Sequence, residues 1–102
     1  MKAQPKKIWE MVGMIGGTVE IMGDVLEDWT RGEDRGRQAF CHFFEIFRVE
    51  SAALDANLRV ITLKKSMNKS HLIKINEEVA RIYDDANNQR MFFEKLCLQD
   101  NS

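Results

Sequence analysis

Arg37–Met67 reads RQAFCHFFEIFRVESAALDANLRVITLKKSM, and the fold turns on how this stretch is read. It contains no Gly or Pro and holds four of the six phenylalanines. Phe40, Phe44, Phe47, Ser51, Leu54, Leu58 and Ile61 follow one another at alternating steps of four and three, with Phe43, Ile46, Ala53 and Val60 alongside. That period places them along one side of a helix. Ser51 interrupts the apolar seam and could cap a new helix. Without a breaker nearby the stretch predicts one continuous helix of roughly 45 Å at 1.5 Å per residue. We expect it to be the central helix, with the flanking segments packed on it.

On its N-terminal side, Pro5 suits a first helical turn, where its missing N–H is not needed. From there Ile8, Val12, Ile15, Val19, Met22, Leu26 and Trp29 form a heptad seam. A second stripe of Met11, Met14, Thr18, Ile21 and Val25 widens the apolar face, so this helix should touch two neighbours. Gly13, Gly16, Gly17 and Gly23 each cost about 1 kcal/mol relative to Ala in a helix interior. Close approach of another backbone, at the GxxxG spacing of Gly13 and Gly17, or a kinked helix would account for them. Thr30 with Glu33 has capping-box form, and Asp34 is an alternative cap.

On the C-terminal side, Lys64 and Lys65 complement a helix C-terminus, and Ser70 can cap the next start. Leu72, Ile75, Val79, Ile82, Ala86, the polar Gln89, Phe93 and Leu96 then share one seam. The expectation is a single all-α domain over 1–102, an antiparallel three-helix bundle of long helices with termini at opposite ends, associating as a homodimer. Residues 1–5 and 98–102 are expected to be loose ends.

Composition bounds the function. A chain of 102 residues is one domain at most, and 44% apolar with 30% charged residues is a globular balance. A net charge of −1 supplies no global field toward nucleic acid or an anionic membrane. Glu10, Glu20 and Asp24 break the N-terminal apolar run, which argues against a signal peptide and a membrane span. Cys41 and Cys97 sit in apolar helical pattern, and buried free thiols in a reducing cytoplasm are the expectation.

One residue pair looks like chemistry. Arg37-x4-His42, with Gln38 after the arginine, resembles the Arg-x(4–6)-His motif of HEPN-type ribonucleases, which are small all-α dimers. The resemblance covers these six residues. It implies metal-independent RNA cleavage, with His42 exchanging a proton and Arg37 stabilising phosphoryl charge. The alternative is a histidine half-buried among Phe40, Phe43 and Phe44. No metal or other cofactor is expected: His42 and Glu45 give a single, reversed Glu/His pair, and Cys41, His42, His71 and Cys97 lack paired ligand spacing. Lys64, Lys65, Lys69 and Lys74 lack the interleaved aromatics of a single-strand binder, so no nucleic-acid partner is expected from them.

The methionines carry more. Met11, Met14 and Met22 on one helix give an adaptable surface of the kind that takes partner helices, and the outer stripe of Met11, Met14, Ile21 and Val25 is the expected contact. The three apolar faces together exceed what a lone bundle of this size hides easily. The sequence therefore reads first as a cytoplasmic helical interaction protein (adaptor, regulator or small chaperone) that binds a protein partner or itself. A structural piece of a larger assembly is another possibility.

Overall fold

The computed structural model describes residues 5–33 and 35–100. Three helices account for nearly all of them: α1 (Pro5–Thr30), α2 (Arg35–Lys64) and α3 (Lys69–Asp100). No strand occurs among the described residues. α1 opens on Pro5, where proline's fixed φ suits a first turn. α2 runs unbroken through Ser51, whose hydroxyl donates to the Arg48 carbonyl at 3.1 Å instead of capping a new helix. α3 continues through Leu98 and Gln99 rather than ending at Leu98. The half-buried Leu96 still packs against the core there. The expectation for residues 1–4, 101 and 102 lies outside the described residues.

Both turns end their helices in the same way. After α1, Glu33 N–H donates to the Asp28 carbonyl and Gly32 N–H to that of Trp29, with Gly32 at φ +92°. After α2, Ser66 N–H donates to Ile61 and Lys65 N–H to Thr62, with Lys65 at φ +50°. These are paired six-to-one and five-to-two caps built on a left-handed residue. Thr30 is thus the last residue of α1, its hydroxyl turned back onto the Glu27 carbonyl, and not the cap of α2. Asp34 lies outside the described residues. Asn68, rather than Ser70, caps α3: its Oδ1 accepts the Ser70 N–H at 2.8 Å and its carbonyl accepts the Leu72 N–H at 3.0 Å.

The helices pack as an elongated bundle of 51 × 18 × 16 Å. Ile8, Val12, Ile15, Val19, Met22 and Leu26 of α1 are buried against Phe40, Leu54 and Ile61 of α2 and Ile75, Val79, Ile82 and Ala86 of α3. At one end the core is aromatic. Phe93 stacks on Phe40 with ring centroids 4.4 Å apart and lies 5.3 Å from Trp29. The other end, around Ile8, Leu54, Ile61 and Ile75, is aliphatic.

The expectation of α2 as the central helix is corrected. Backbone contacts run from α1 to α2 and from α1 to α3, and among the described residues none joins α2 to α3 directly. α1 is the hub because its apolar seam, Ile8 through Leu26, is buried along its length against both other helices. α2 and α3 meet through long side chains, as where Tyr83 lies edge-on to Phe47 and donates to the Ser51 carbonyl and to Asp55.

Candidate interaction surface

α2 carries two apolar rows. The inner one packs on α1. A second row, His42, Ile46, Val49, Ala53, Ala56, Val60 and Leu63, keeps the same four–three spacing on the opposite side. Val49 is 69% exposed and Leu63 77%; Ala53, Ala56 and Val60 are also exposed, and Ile46 is half-buried. This row spans about 32 Å of helix.

The α1 residues expected to bind a partner flank this row. Met14 is 63% exposed and Ile21 is exposed, while Met11 and Val25 are half-buried against the core. Met11 and Met14 line one shallow hollow of about 200 Å³ with Val49, Glu50 and Ala53. A second of about 300 Å³ is bounded by His42, Glu45, Ile46, Val49 and Glu50. Together α1 and α2 present one apolar face broken by a single inner carboxylate. Glu50 Oε1 accepts the buried Thr18 hydroxyl at 2.6 Å, which turns its charge back toward α1.

The α2 half of this face went unrecognised in the sequence. Ile46, Ala53 and Val60 read there as widening of the core seam. Their joining with Val49, Ala56 and Leu63 into a second heptad row was the signal.

A groove of about 480 Å³ lies on the other flank, between α1 and α3, over Gly13, Gly16 and Gly17 with Trp9 at one end. A Cβ on Gly13 or Gly17 would meet nothing within 4 Å, so their spacing marks no close helix approach here. Arg81 on the rim holds the Glu78 carboxyl below its usual range through a hydrogen-bonded ion pair. Close approach occurs instead at Gly36. A Cβ there would fall 2.6 Å from the Val25 carbonyl oxygen and 2.8 Å from the Trp29 nitrogen.

Arg37 and His42 are both exposed on α2. Five residues of helix separate them by about 140° around the axis, so one chain does not converge the two on a single point. His42 is not half-buried among three phenylalanines. It lies on the outer row and touches Phe43 edge-on at 5.2 Å, because its position turns it away from Phe40 and Phe44. Cys41 is likewise exposed rather than buried, and Cys97 is half-buried; both are free thiols. Among the described residues no group of three His, Cys, Asp or Glu could hold a metal ion. Among the described residues no helix is long and apolar enough to cross a membrane.

The fold and the site define an all-α helical bundle with an open apolar face. The chain matches no family model, no curated protein and no solved structure.

Proposed function

We propose that this chain is a small helical protein-interaction module, an adaptor, regulator or small chaperone acting in the cytoplasm through the apolar face of α1 and α2. One observation carries the reading. A heptad row on α2 lies uncovered beside Met14 and Ile21, where a lone bundle would place charged residues. Met14 and Ile21 make the outer contacts, with Met11 and Val25 supporting them from the half-buried layer. Methionine's flexible thioether suits a surface that repacks against a partner helix.

The test replaces Met14 and Ile21 together with Asp. Association, measured by sedimentation and by retention of partner protein, should weaken at least tenfold, a loss of about 1.4 kcal/mol or more. Circular dichroism should show the helices retained. Unfolding of the double variant would place both residues in the core. A wild-type chain that neither self-associates nor retains a partner would overturn the proposal.

A further inference from the structure

We infer that the outer row of α2 is the contact between two copies of this chain, laid antiparallel with Ala52 of each facing the other across a two-fold axis. The inference rests on the interaction reading above and names its partner. The occupant follows from the charges beside the row.

In heptad terms Ile46, Ala53 and Val60 repeat at one core position, and Val49, Ala56 and Leu63 at the other. The flanking positions hold Glu45, Ala52 and Arg59 on one side and Glu50, Asn57 and Lys64 on the other. A parallel pair of α2 helices would set Glu45 against Glu50 and Arg59 against Lys64, all like charges. An antiparallel pair centred on Ala52 sets Glu45 of each copy against Arg59 of the other, two opposite-charge pairs. Like-charge juxtaposition is a strong discriminator between otherwise similar pairings.

The same register places Val49 opposite the second copy's Ala53, and Ile46 opposite its Ala56. Large thus meets small along the seam, as interdigitated packing needs. Glu45 now pairs with Arg48 at 3.1 Å, but both side chains are about two-thirds exposed, so exchanging that partner costs little. Of the charged flanking residues only Glu50 would meet its own copy, and Thr18 draws its carboxylate aside. A face about 32 Å long and about 20 Å wide across two helices offers roughly 600 Å² in projection. That approaches the ~800 Å² per partner typical of specific interfaces.

Sedimentation equilibrium of the full chain across the micromolar range tests this. The wild type should be a dimer. Val49→Glu, and separately Leu63→Glu, should weaken it by about a hundredfold with unchanged helicity, since both positions are open in the single chain. Glu45→Lys and Arg59→Glu should each weaken the dimer by about tenfold, and the double exchange should restore it. A parallel dimer gives the opposite sign, because Glu45→Lys alone would then strengthen it, and that result overturns the inference. So does a dimer indifferent to Val49 and Leu63, or a wild type that stays monomeric. If the monomer still loses a different protein partner on replacement of Met14 and Ile21, the interaction reading stands while the self-pairing falls.

Discussion

α1 meets its two neighbours in different ways. Toward α2 the approach is tight: Gly36 tucks against Val25 and Trp29 with no room for a methyl group, and Thr18 reaches Glu50. Toward α3 the contact is looser. Gly13 and Gly17 floor an open groove, and the seam holds a glutamine. Gln89 donates to the Val19 carbonyl at 3.2 Å, but its buried Oε1 has no partner. Glycine therefore plays opposite parts on the two sides. In one place it permits a contact; in the other it leaves space.

The largest expected effect comes from closing the tight side. Gly36→Ala puts a methyl within 3 Å of the Trp29 Cβ and of two backbone atoms that cannot rotate away, so the helices must separate. A loss of about 3 kcal/mol is expected, at the upper end of overpacking costs, measured by urea unfolding. A loss below about 1 kcal/mol would mean that the crossing of α1 and α2 yields easily. On the open side the sign reverses. Gly13→Ala with Gly17→Ala meets no neighbour, removes two helix-interior glycines, and should stabilise by about 2 kcal/mol in total. Destabilisation there would show that something fills the groove in solution. Gln89→Met should stabilise by about 1 kcal/mol, since it removes an orphaned buried acceptor while the Val19 carbonyl keeps its place in the helix ladder. A loss would mean that the bond to Val19 outweighs the orphan.

These asymmetries explain what the sequence disclosed. The inner seam of α1 was legible because Ile8, Val12, Ile15, Val19, Met22 and Leu26 repeat with one period and all are buried. Two rows of equal period on α2 were harder to tell apart. Periodicity says that residues share a side, not which side is inside; the phenylalanine volume of the inner row decides that. The hub was misassigned for a related reason. The seams of all three helices repeat with one period, and only their packing shows that α2 and α3 both lie on that of α1. Ser51 and Thr30 show the limit of capping signals, since each hydroxyl found a carbonyl three residues back. Of the exposed apolar face, Met14 and Ile21 could be foreseen from their position beside the α1 seam. Val49, Ala56 and Leu63 could not, because nothing local distinguishes an uncovered heptad row from a covered one.

An effect of similar size to that at Gln89 probes the direct link between α2 and α3. Tyr83 bridges α3 to α2, its hydroxyl 3.3 Å from the Ser51 carbonyl and 3.0 Å from Asp55 Oδ1. Burial, with the hydrogen bond to Asp55 and its charge, pushes the phenol well above its usual range. The folded chain then holds a proton that the unfolded chain releases near pH 10. Below about pH 10 both states are protonated and this contribution is fully present; as pH rises further, the unfolded state binds fewer protons and stability falls. Tyr83→Phe should cost about 1 kcal/mol at pH 7, the net worth of a hydrogen bond. It should also flatten the decline above pH 10 relative to wild type. Taking the difference between the two proteins in urea at pH 7 to 10.5 cancels the common titration of lysines and arginines. Parallel curves would mean that the phenol ionises alike in both states and that the ring contacts of Phe40 with Phe93 and Phe47 with Tyr83 join α2 to α3 without help from the hydroxyl.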